Sequence, residues 1–111
     1  MPVEGRSLSN SSSVAYVASQ IIKATPGTLY RLSVFNSLGS AQWIQLHNSA
    51  TLPADTAVPV AIYTVPTIAN LVIDFADIGR YFSAGIVVCN STTGPTKTIG
   101  SANCWFDAQY T

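Results

Sequence analysis

From Val14 onward the chain reads as short runs rich in Val, Ile, Thr, Tyr and Phe, each closed by Gly, Pro, Asn or Asp. β-Branched and aromatic residues suit a pleated, half-buried surface, and the closing residues are those that turns require, so the pattern predicts strands and turns throughout. Eight strands are expected, over 14–18, 20–24, 28–36, 41–48, 57–64, 69–75, 84–90 and 103–110. Their spacing, roughly 8–12 residues from one to the next, is that of a sandwich or barrel. In the third, Tyr30, Leu32 and Val34 alternate with Leu29, Arg31, Ser33 and Phe35, which gives one apolar face and one mixed face. Ile86-Val87-Val88 does not alternate and predicts a strand buried on both faces. Pro59 removes a ladder donor from the fifth strand and places it at a sheet edge.

Two segments need separate readings. Ile68 to Phe82 fits a helical stripe passably, but β-branched Val72 and Ile73 and the flanking turns favour a strand over 69–75, leaving at most one helical turn near 76–82. Residues 1–13 are polar and turn-prone, with Leu8 their only large apolar residue after Val3, and predict a flexible N-terminal arm ahead of a domain spanning 14–111. Ser91 to Lys97 is a dense turn sequence that predicts a hairpin between the last two strands, with Cys89 opposite Cys104. Synthesis in the cytoplasm would leave both as free, buried thiols. The fold class expected is therefore all-β: a single-domain antiparallel sandwich, jelly-roll-like or immunoglobulin-like, of about eight short strands.

Composition narrows the partners. Of 111 residues, 48% are apolar and 9% charged, with five Lys and Arg balancing five Asp and Glu, so the chain has enough apolar material for one core. Zero net charge removes the attraction that nucleic acid or an anionic membrane surface would use, and neither is expected as a partner. No apolar run approaches the roughly 18 residues of a membrane span, and the first residues lack the basic start and apolar stretch of a secretory signal, so synthesis is expected to end in the cytoplasm.

Candidate chemistry is sparse. His47 is the only histidine, so any Ser-His-Asp or Cys-His mechanism must use it as base, yet no Gly-x-Ser-x-Gly or comparable nucleophile context occurs. Asp74 and Asp77 suggest a strand end and a turn more readily than the two carboxylates of a glycosidase cleft. Gly94-Pro95-Thr96-Lys97-Thr98 resembles the tail of a phosphate loop by letter only, because its first Gly is missing and Pro95 removes an N–H. Two Cys and one His at distant positions do not make a tetrahedral metal site. No catalytic residue, cofactor or metal is expected. Trp43, Arg80, Tyr81 and Trp105 stand out as large groups suited to a core or subunit interface; exposed on a flat β face, the aromatics would instead suit a glycan.

The run from Asp74 to Pro95, including Asp74-Phe75-Ala76-Asp77-Ile78-Gly79-Arg80-Tyr81-Phe82, together with Ala102-Asn103-Cys104-Trp105-Phe106-Asp107-Ala108-Gln109-Tyr110, resembles small virion structural proteins of tailed bacteriophages. Ile44 to Pro53 resembles the same group. The resemblance implies a head decoration or cement protein, commonly trimeric, that binds the phage major capsid protein and is located in the virion after synthesis in the host cytoplasm. It implies that residues 1–19 contact the capsid or a neighbour. A glycan-binding module of a fibre or tail is the alternative.

Overall fold

The computed structural model describes residues 8–111. Within them nine strands form: β1 (Ser9–Ser12), β2 (Ser19–Lys23), β3 (Gly27–Asn36), β4 (Gln42–Asn48), β5 (Ala61–Val65), β6 (Ala69–Asp74), β7 (Arg80–Phe82), β8 (Ile86–Ser91) and β9 (Cys104–Tyr110). No helix forms among the described residues, so none is long and apolar enough to cross a membrane. The strands make two packed antiparallel sheets, ordered β1-β9-β3-β6, with β7 continuing beside β3, and β2-β8-β4-β5.

The pairing follows one rule. β1 pairs with β9, β2 with β8, β3 with β6 and β4 with β5, as if one long antiparallel ribbon had been folded double. Rolling that ribbon brings β9 against β3 and β8 against β4, which closes the two sheets. This is the jelly-roll arrangement. β7 is an addition: Gly79, with φ of +68°, turns the chain back so that Arg80–Phe82 pair with Gly27–Leu29. A Cβ at Gly79 would lie 2.5 Å from Thr28 Cγ2, so both the turn and the close approach require glycine.

Alternation assigns the faces. Leu32 and Val34 of β3, Ile44 and Leu46 of β4, and Phe106 and Ala108 of β9 point between the sheets and are buried. A bulge at Tyr30 shifts the β3–β9 register, so that Leu29, and not Tyr30, joins this core. All six residues of β8 are buried, as the unbroken apolar run predicts, and β5 lies at a sheet edge, as Pro59 predicts. Pro59 itself falls just outside the strand, which begins at Ala61.

Three local expectations are corrected. Residues 14–18 do not form a strand; Val14 is fully exposed, and the segment contributes a bridge from Val17 to Cys104 and the Ala18 carbonyl, which accepts from the Asn90 amide. The last two strands are not a hairpin, because β8 and β9 belong to different sheets and the 92–103 connection crosses between them. Cys89 consequently opposes Ser19 and Gln45, while Cys104 opposes Asn36; both thiols are free and buried. Within the segment read as an arm, Ser9–Ser12 adds an edge strand to the first sheet, and residues 1–7 lie outside the described part.

Candidate functional site

The outward side of the β2-β8-β4-β5 sheet is covered. On β4, Gln45 and His47 point away from the core, yet both are buried, as is Cys89 on β8. The cover consists of the β4–β5 connection, residues 49–60, and the β8–β9 connection. They meet where the Thr56 amide donates to the Lys97 carbonyl at 2.7 Å and the Lys97 amide donates to the Ala57 carbonyl at 2.8 Å. Asp55 Oδ1 accepts from the Ile99 amide at 3.1 Å and from Lys97 Nζ at 3.2 Å, fastening one loop to the other. Thr56 has φ of +78°, a left-handed conformation that costs a β-branched residue on the order of 1–3 kcal/mol and that these bonds hold in place.

Beneath the cover lies a polar network. Gln45 Nε2 donates to the carbonyls of Thr93, Gly94 and Thr96 at 2.8–3.1 Å. That fixes the amide orientation, so Gln45 Oε1 must accept from His47 Nε2–H at 3.1 Å, which sets the histidine tautomer. Burial, with the Lys97 charge adding to it, lowers the His47 pKa below its ordinary 6.5 and keeps the ring neutral. Burial also pushes the Cys89 thiol up to about 11. A buried histidine, a thiol held protonated and a lysine engaged by a carboxylate are groups restrained in their reactivity. The Gly94–Lys97 loop turns carbonyls inward, the opposite polarity to that of a phosphate cradle.

The outward side of the β1-β9-β3-β6 sheet is bare. Register places three rows across it: Trp105, Phe35 and Asn70; then Ser12, Asp107, Ser33 and Val72; then Asn10, Gln109, Arg31 and Asp74. Tyr16, from the β1–β2 connection, extends the first row. The Tyr16 and Phe35 ring centroids are 6.5 Å apart and those of Phe35 and Trp105 5.9 Å, each pair tilted by about a third of a right angle. Ser13, Val14, Ala15, Tyr16 and Trp105 line an open hollow of about 310 Å³ at this end. Beside it, Ser12 Oγ donates to Asp107 Oδ1 at 2.5 Å and Gln109 Nε2 donates to Asn10 Oδ1 at 2.8 Å.

The four residues singled out from sequence do not converge. Trp43 lies on the covered side, where a Cβ on Gly94 would sit 3.2 Å from its ring. Trp105 lies on the bare side, and Arg80 and Tyr81 lie on β7, where Arg80 Nη2 donates to the Val60 carbonyl at 3.1 Å. Trp43 and Trp105 are 38% and 40% exposed, so neither is purely a core residue. Asp74 ends β6 with Oδ1 accepting from the Ala76 amide, and Asp77 lies in the following turn. Sequence reasoning missed the buried Gln45 and Lys97, the exposed Asp55 that fastens Lys97, and Tyr16 and Phe35 as partners of Trp105. The only available signal was alternation, which puts Gln45 with His47 and Phe35 with Ser33 on outward faces. Comparison with protein-family models, curated proteins and solved structures finds no significant match to this chain.

Proposed function

We propose that this protein is a non-enzymatic structural component of a bacteriophage particle, a decoration or cement protein that assembles with copies of itself, as a trimer, and binds the major capsid protein on the head surface. The observation that carries the reading is the aliphatic surface on and around the loop-covered sheet. Ile21 and Ile62 on the two edge strands of that sheet and Leu52, Val58, Val60 and Ile99 in the loops over it are each between 41 and 76% exposed. Apolar surface gathered in this way marks a protein contact, and zero net charge sets up no long-range repulsion between copies. The jelly-roll arrangement supports the reading because viral capsid domains use it, although architecture alone does not specify a function. The burial of the only histidine under two loops supports a role without catalysis.

Light scattering on the full chain over a range of concentrations tests this. The expected result is a stable trimer that Leu52→Glu and Ile62→Glu convert to a folded monomer. A chain that is monomeric at every concentration, with a mass neither substitution changes, overturns self-assembly.

A further inference from the structure

The bare outer face of the β1-β9-β3-β6 sheet combines two kinds of surface that a folded core does not require there. At one end Tyr16, Phe35 and Trp105 pack in a continuous aromatic row, and its two outer members, Tyr16 and Trp105, border an open hollow of about 310 Å³, a volume at the lower end of small-ligand sites. Tyr16 is 49% and Trp105 40% exposed, and both line the hollow. Two residues further along β9, on the same face, Asp107 opens a hydrogen-bonded group of Asn10, Ser12 and Gln109. That step is about 7 Å along a strand. Asp107 therefore lies about one sugar ring from the aromatic row, and Gln109, about 14 Å along the strand from Trp105, within reach of the next ring of a chain.

We propose that this face is a binding site for a neutral saccharide, with one pyranose ring seated in the hollow against Trp105 and Tyr16 and the hydroxyls of that ring or the next bonded by Asp107 and Gln109. A pyranose has an apolar C–H face and a rim of hydroxyls, which matches the two halves of the site. Asp107 accepts from ligand hydroxyls, and its bond from Ser12 Oγ holds one oxygen in position before the ligand arrives. The charge on the face selects against other ligands. Asp107 and Asp74 outnumber the single guanidinium of Arg31, so sulfated or phosphorylated chains meet net repulsion. A wholly apolar ligand would leave the polar rows desolvated and unpaired. Trp43 has no part in the site because it lies on the opposite side of the sandwich. The proposal is independent of self-assembly, which uses the other sheet's side and leaves this face outward.

The two tryptophans provide an internal control. The ¹⁵N-labelled full chain is titrated with maltohexaose, cellohexaose, chitohexaose and mannohexaose, and with a heparin hexasaccharide as the anionic comparator, while both indole N–H signals are followed. At least one neutral probe is expected to shift the Trp105 signal and the Asp107 and Gln109 amides and leave Trp43 unmoved. Tyr16→Ala, which lies outside every strand, and Asp107→Asn should each weaken that binding by about tenfold or more, and Trp43→Phe by less than about twofold. The proposal is overturned if no neutral probe moves the Trp105 signal at about 10 mM, a concentration that would reveal even a millimolar site. It is equally overturned if only the heparin fragment does so, or if affinity survives Tyr16→Ala.

Discussion

On the outward side of the β2-β8-β4-β5 sheet, Gln45, His47 and Cys89 are buried beneath two loops, one of which contributes the buried Lys97. On the outward side of the other sheet, Asn10, Ser12 and Arg31 are exposed and Ser33, Asp107 and Gln109 half-buried. Both sheets hold hydrogen-bonding side chains at outward positions of regular strands. The difference lies in what solvates them. On the covered side every polar group must find a protein partner, because an unpaired donor or acceptor there costs about 1–3 kcal/mol. On the bare side water satisfies whatever the neighbours do not. The first network therefore holds the structure together, while the second is free to bind something else.

The largest consequence concerns Gln45. Gln45→Ala removes the partner of three carbonyls and of His47 Nε2–H and leaves a void beneath both loops. A loss of about 3 kcal/mol is expected, read from the urea midpoint. The matching change on the bare side, Gln109→Ala, should cost less than about 0.5 kcal/mol. Equal losses would show that the two faces are not energetically distinct.

Thiol reactivity sharpens the comparison further. Burial pushes both Cys89 and Cys104 up to about 11 from 9.0, so the thiolate fraction near pH 8 falls about 100-fold, and labelling by a disulfide reagent should slow at least that much relative to the unfolded chain. Cys89 lies under the loops and Cys104 between the sheets. In the Gln45→Ala variant Cys89 should gain reactivity first, with Cys104 following only global unfolding. Simultaneous gain at both positions would mean that the loops open only when the sandwich does.

The sequence reading was most accurate where the pattern is local. Seven of the nine strands lie close to expected ranges because alternation and turn residues fix them pairwise. β1 was missed because Ser9–Ser12 has no apolar face: it is held by backbone pairing with β9 and by the Ser12–Asp107 bond, and neither leaves a periodic trace. β7 has only three residues. The predicted Cys89–Cys104 hairpin failed because a turn-rich connection does not reveal whether it reverses within a sheet or crosses to the other one. The polar network was hidden for a similar reason. Gln45 and His47 alternate with Ile44 and Leu46 as any half-exposed strand would, and only the tertiary course of residues 49–60 and 92–99 buries them.

Acid separates the two sides again. His47, the only histidine, is held neutral by burial and by Lys97, whereas in the unfolded chain it takes up a proton below about pH 6.5. In that window the unfolded state binds more protons. The stability contributed by neutral His47 is complete above pH 6.5 and is lost as the pH falls toward its lowered folded value. Denaturation midpoints should therefore decline as the pH falls below about 6.5, and His47→Gln should flatten that decline. Lys97→Met should raise the folded His47 pKa, followed by proton NMR, because one of the two causes of its depression is gone. Asp55, held below 3.8 chiefly by the Ile99 amide and then by Lys97, adds a second loss only in stronger acid.

The smallest expected effect is the most discriminating for the bare face. Asp107→Asn keeps the side-chain shape and an acceptor for Ser12 Oγ, and the residue is solvated, so the melting temperature should move by no more than about 0.5 kcal/mol would move it. If the carboxylate were instead a structural anchor of β1, its loss would release Ser9–Ser12, and amide exchange across β1 and the facing positions of β9 would accelerate together. Unchanged exchange at Ser11 and Ala108, which oppose each other in the pair, combined with lost saccharide binding, would assign Asp107 to ligand recognition. Accelerated exchange at both would assign it to holding the edge strand. The variant thus distinguishes a polar group kept for binding from one kept for folding, on the side of the molecule where solvent makes either possible.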